Sequence, residues 1–237
     1  MFIRSPVSRA LRATSVLLAG VALFSQPSAA SILTFDYTPT DLTCGGNGCN
    51  PQDYGDRITT TNDVTTGYQY GLGNGFTPNV TVSYQPDPTF TNTDYSLWAT
   101  GYAELSNALG HISFNVPGEI ILTPDSGYSV RLNSFDIAGW AGAGYQTQFA
   151  IYDDNGTRIS PNLFGGDIFV PGANSISPLS SPLLATGALH IYISNLGSTG
   201  IDNLNFDQTA VPLPAAIWLF GSGLLGMIGM AKRKKTA

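Results

Sequence analysis

Leu189-His190-Ile191-Tyr192-Ile193-Ser194 is the stretch that decides the fold class. Leu189, Ile191 and Ile193 fall on one side of an extended chain, and His190, Tyr192 and Ser194 fall on the other, which is the period of a half-buried β-strand. Val80-Thr81-Val82-Ser83-Tyr84 repeats the alternation. Working outward, clusters of Gly, Pro, Asn and Asp bound further expected strands at 32–37, 111–116, 120–123, 128–137, 148–152 and 201–206. Asp154-Asn155-Gly156-Thr157 reads as a primed hairpin turn, because Asn-Gly tolerates positive φ. Residues 174–187 read as a long surface loop. No sustained helical period occurs outside the two termini, and no internal repeat is evident. The expectation is an all-β fold, a single β-sandwich over residues 31–207, long enough for a sizeable core.

The chain has 237 residues, and its two ends differ from this middle. Arg4, Arg9 and Arg12 precede an apolar run from Val16 to Phe24 and the small residues Ser28-Ala29-Ala30. That is the pattern of a secretory signal peptide over 1–30, with signal peptidase cutting between Ala30 and Ser31. At the other end, over 208–237, no charge occurs between Asp207 and Lys232. As a helix this stretch would rise about 36 Å against a hydrocarbon core of roughly 30 Å. A transmembrane helix is therefore expected over 213–231, started by Pro212 and Pro214 and anchored by Trp218. Lys232, Arg233, Lys234 and Lys235 would stop it on the cytoplasmic side of the inner membrane. In a plain anchor, Ser222 and Gly226 would be a weak helix-pairing motif.

Val211-Pro212-Leu213-Pro214-Ala215, then the apolar run through Trp218, Gly221, Gly223 and Gly226, then the basic cluster, resemble the PEP-CTERM sorting signal of Gram-negative bacteria in its VPLPA variant. The resemblance covers about the last tenth of the chain. Leu213 stands where the main form of the signal has Glu, which implies a reader dedicated to the variant. The resemblance implies processing by an exosortase, a membrane transpeptidase-like protease, and delivery to the cell surface or exopolysaccharide matrix.

Seven of the ten basic residues lie in the two targeting segments, leaving Arg57, Arg131 and Arg158 against all sixteen acids. The exported part then carries a formal charge of −13 and no lysine, which excludes nucleic acid as a natural partner. Cys44 and Cys49 enclose Gly-Gly-Asn-Gly, and export to an oxidising compartment implies a local disulfide rather than a redox-active Cys-x-x-Cys pair.

No catalytic constellation is expected. His111 and His190 are each alone on a strand pattern, and nothing fixes Glu104 and Glu119 at a hydrolytic separation, so a secreted glycoside hydrolase is the weakest alternative. Asp153, Asp154 and Asn155 mimic a calcium loop, but a turn explains them. Residues 127–140 and 200–206 resemble strands of jelly-roll carbohydrate-binding modules, which implies a jelly-roll-like sandwich with an acid on the last strand beside a structural calcium. Asp36 and Asp202 offer hard oxygens where the first and last strands meet; turning the last strand is the alternative role of Asp202. Trp98, Trp140 and Tyr145 lie among glycines and would serve as sugar platforms, or equally as core or interface packing.

Overall fold

Residues 189–193 form the middle strand of a five-stranded antiparallel sheet in the computed structural model, which describes residues 29–70, 75–86, 95–113, 116–140, 142–159, 167–211, 221–223 and 227. Among the described residues the strands are β1 (Ser31–Leu33), β2 (Gly48–Cys49), β3 (Asn62–Asp63), β4 (Tyr68–Gln69), β5 (Val80–Pro86), β6 (Ser96–Trp98) and β7 (Ala108–Gly110). They continue with β8 (Gly118–Pro124), β9 (Tyr128–Gly139), β10 (Tyr145–Asp153), β11 (Asp167–Val170), β12 (Leu183–Ala185), β13 (Leu189–Ile193) and β14 (Thr199–Ala210). The five-stranded sheet runs β11-β10-β13-β8-β5. A seven-stranded sheet runs β12-β9-β14-β7-β6-β2, with β1 also paired to β14, and β3-β4 make a separate hairpin.

Alternation explains the core. Leu189, Ile191 and Ile193 of β13 turn inward with Val80, Val82, Ile120, Leu122 and Ile151 of their sheet. They meet Val130, Leu132, Phe135, Ile137, Leu204 and Phe206 from the larger sheet in one buried cluster. Phe135 and Phe149 touch across the layers with centroids 5.2 Å apart. Burying each such side chain contributes about 1.5–3 kcal/mol. At one end Tyr37, Tyr54, Tyr68 and Tyr70 join Phe35 in a set of rings 4.5–6.4 Å apart.

The longest pairing, β9 with β14, is interrupted by register shifts between Asp202 and Asn205 and between Asn205 and Phe206. Such bulges re-aim side chains, and here they fall beside Asn203 and Asn133. Asn203 itself has φ +52°, a conformation that Asn tolerates better than most residues.

Several expectations are corrected. The strand expected at 111–116 is misplaced: β7 occupies Ala108–Gly110, and the described residues 111–113 and 116 lie outside any strand. β7 stops at Gly110, where an added Cβ would lie 2.6 Å from the Tyr102 hydroxyl, and buried His111 uses Nδ1 to accept the Ser113 N–H at 3.0 Å. The loop over 174–187 contains β12, paired to β9. The turn after β10 is not primed: only Gly156 has positive φ (+72°), and Asp153 Oδ1 accepts the N–H groups of Asn155 and Thr157. A side-chain acceptor at its first position thus replaces the Asn-Gly geometry.

The membrane helix is also overturned. No helix among the described residues is long and apolar enough to cross a membrane. A span needs about 20 helical residues. Of 213–231, the described positions are 221–223 and 227, which are helical, and the longest described helical run is three residues. The C-terminal anchor and its cytoplasmic tail, and with them the anchored localisation, are not supported. The remaining positions of that segment, Lys232, Arg233, Lys234 and Lys235, and residues 1–28, lie outside the described residues.

Candidate functional site

Two groups of side chains named from the sequence converge, and both lie on the seven-stranded sheet. The first is acidic. Asp202 of β14 stands directly opposite Asp136 of β9, a like-charge pairing that normally weakens a sheet. Asp202 is 4 % exposed, and its Oδ1 accepts the Asn203 N–H at 2.6 Å. Asn203 Nδ2 donates to Asp136 Oδ2 at 3.0 Å. Asp36 follows β1 and is held by Asn107 Nδ2 at 2.8 Å.

Burial pushes the Asp202 carboxyl from the ordinary 3.8 up to about 8, opposed by the Asn203 N–H and reinforced by the charges of Asp36 and Asp136. The positive charges are engaged elsewhere: Arg57 on Asp125, Arg131 on Asp207, and Arg158 on the Phe149 carbonyl. Asp36 also lines a cleft of about 540 Å³ with Thr34, Thr61, Gln69 and Asn203. Among the described residues, no three His, Cys, Asp or Glu side chains lie close enough to hold a metal ion. The donors suit a hard cation in kind, all being oxygen, but the acids do not close a shell, so Asn and carbonyl oxygens would have to complete it.

The second group is aromatic. Trp98 and Trp140, both half-buried, meet edge to face with centroids 4.8 Å apart, and Tyr102 meets Trp140 at 5.0 Å. Tyr102, which sequence reasoning missed, is the buried centre of the group, and its hydroxyl donates to the Gly197 carbonyl at 3.2 Å. Burial, then the neighbouring Tyr145, pushes that hydroxyl up. Glycine makes the packing possible: a Cβ on Gly101, which has φ +113°, would come within 2.3 Å of the Trp140 ring.

The Cys44–Cys49 disulfide, with Cα atoms 5.0 Å apart, closes a loop whose Gly46 lies against Trp98. Ser96 of β6 fixes that loop by donating to the Cys44 carbonyl at 2.7 Å. The Trp98 indole N–H is buried without a partner. Trp98 and Trp140 therefore combine packing with a partly exposed rim.

The glutamates do not form a recognisable pair. Glu104, between β6 and β7, accepts from the Ser175 N–H and hydroxyl at 2.7 and 2.8 Å, which holds its carboxyl below the usual range. Glu119, on β8 in the other sheet, faces His190 Nδ1 at 3.1 Å. Val211 follows β14 and is 38 % exposed, with its N–H tied to the Gly127 carbonyl at 2.8 Å, while Pro212, Leu213, Pro214 and Ala215 lie outside the described residues. No protein-family model matches the chain, and no curated protein matches it.

Proposed function

We propose that this chain is an exported, non-catalytic β-sandwich protein of the cell surface or extracellular matrix, released by signal peptidase and sorted by an exosortase that cuts near Val211–Ala215. The observation that carries the reading is the Cys44–Cys49 disulfide, in a domain whose exported part holds no lysine and sixteen acids. Disulfides persist in oxidising compartments outside the cytoplasm, and a strongly acidic surface keeps an extracellular domain dispersed. Among the described residues the last strand ends at Ala210, so a cut in the residues that follow would spare every described β pairing. Protein recovered from outside native cells should resist thiol alkylation until reduced. Two free thiols in that material would contradict the reading.

A second reading, a module that grips matrix polysaccharide, is favoured by the grouping of Trp98, Trp140, Tyr102 and Tyr145. Trp140→Ala should then weaken retention on exopolysaccharide about tenfold or more while the domain still unfolds cooperatively, at a midpoint lowered by the lost ring contacts, and Glu104→Gln and Glu119→Gln should leave retention as it was. Equal retention of the tryptophan variant would leave a structural matrix protein.

A further inference from the structure

Asp207 is 3 % exposed, and its two carboxylate oxygens are treated differently. Three donors converge on Oδ2: Arg131 Nε at 3.0 Å, Arg131 Nη2, and Asn133 Nδ2 at 3.2 Å. All three come from β9, where Arg131 stands directly opposite Asp207. Oδ1 is buried and has no hydrogen-bond partner. Every donor thus comes from the β9 side, and none comes from β1, which pairs with the other edge of β14.

The register of β1 identifies what faces it. Ser31 pairs with Phe206, Ile32 with Asn205 and Leu33 with Leu204. Carried one step back from the paired residues, the same antiparallel register would set Ala30 opposite Asp207, where facing side chains come within about 5 Å. Ser31 itself is fully buried, its hydroxyl 2.8 Å from that of Thr77, and its backbone nitrogen is the atom that joins it to Ala30. In the uncut chain this nitrogen is an amide and carries no charge.

We propose that cutting after Ala30 turns the Ser31 nitrogen into the missing partner of Asp207 Oδ1, so that the chain's own new N-terminus binds a site prepared for it and fastens β1 to β14. Water adds across the Ala30–Ser31 bond: Ala30 leaves with the new carboxylate, and Ser31 keeps the amine, which takes up a proton at neutral pH. The ammonium brings donors and a positive charge to a buried anionic acceptor, a charge-assisted contact stronger than a neutral one. The other exported arginines are occupied, Arg57 by Asp125 and Arg158 by the Phe149 carbonyl. The seam would thus tighten only once the leader is gone. This rests on the export reading, because it needs the leader to be removed at that bond.

The test compares three otherwise complete mature chains: one starting at Ser31, one starting at Ala30, and one starting at Ser31 with its amine acetylated. Urea unfolding should give the free Ser31 chain an unfolding equilibrium constant about tenfold smaller than either of the others. In an Asp207→Asn background the three should coincide. Equal unfolding of the three parent chains would overturn the contact even if Asp207→Asn proved too unstable to study. N-terminal sequencing of the protein from native cells separates the two failures. A start other than Ser31 sinks the export boundary and the contact together, whereas a Ser31 start with equal stabilities sinks the contact alone.

Discussion

Tyr54→Ala is expected to remove about 3–5 kcal/mol of stability, the range for deleting a large buried aromatic. Tyr54 is fully buried and does three jobs at one end of the sandwich. Its ring packs on Phe35, Tyr37, Tyr68 and Tyr70. Its hydroxyl accepts the Phe35 N–H at 3.0 Å and donates to the Gln69 carbonyl at 2.9 Å, joining the segment after β1 to β4. Its own carbonyl accepts the Tyr84 hydroxyl at 2.9 Å, which reaches the five-stranded sheet. Tyr54→Phe keeps the ring and loses the two hydroxyl contacts, so it should cost about 1–3 kcal/mol. Urea unfolding of both variants measures the difference. A loss under about 1 kcal/mol for the alanine variant would mean that the tyrosine group does not couple these segments.

Asp202→Asn should do the reverse and stabilise the domain at neutral pH. The folded carboxyl titrates near 8 and the unfolded one near 3.8, so the protonated form is favoured by folding. The penalty is absent below about pH 4, grows as pH rises from there toward 8, and is then complete. At about 1.4 kcal/mol per unit, its ceiling is near 6 kcal/mol. In a metal-free buffer the gain of the Asn variant over the parent should therefore be near zero at pH 4 and reach several kcal/mol at pH 8. A constant difference across that range would mean that Asp202 is not the titrating group. Repeating the pH 8 measurement with calcium tests the cation reading: a rise in the parent alone supports it, and no rise removes calcium from the acidic cluster.

The sequence made the longer strands legible: β13 and β5 show apolar and polar sides, β8 carries the continuous apolar run Ile120-Ile121-Leu122, and β9 and β14 run for twelve residues each. Shorter strands were hidden. β2 has two residues and β6 and β7 three each, too few to show a period, and they exist through pairing in one ladder rather than through local preference. β12 was hidden for the same reason inside a Ser- and Pro-rich stretch.

The sites followed the same logic. Asp36 and Asp202 were visible as acids on the first and last strands, but the facing of Asp136 and Asp202 depends on register, which the bulges beside them make unreadable from spacing. Tyr102 was missed because it lies outside any strand, and its importance comes from Gly101, Gly110 and Gly200 letting other groups close around it. The one signal for it was a tyrosine among glycines, the same signal that singled out Trp140.

The most direct measurement is the intact mass of the mature protein from its native cells, with sequencing of both ends, beside a strain lacking the exosortase. Export and sorting predict a chain that starts at Ser31, keeps the Cys44–Cys49 bond, and ends near Val211–Ala215 only when the exosortase is present. A chain that retains residues 1–30, or that carries Lys232 to Ala237 in both strains, would contradict the account.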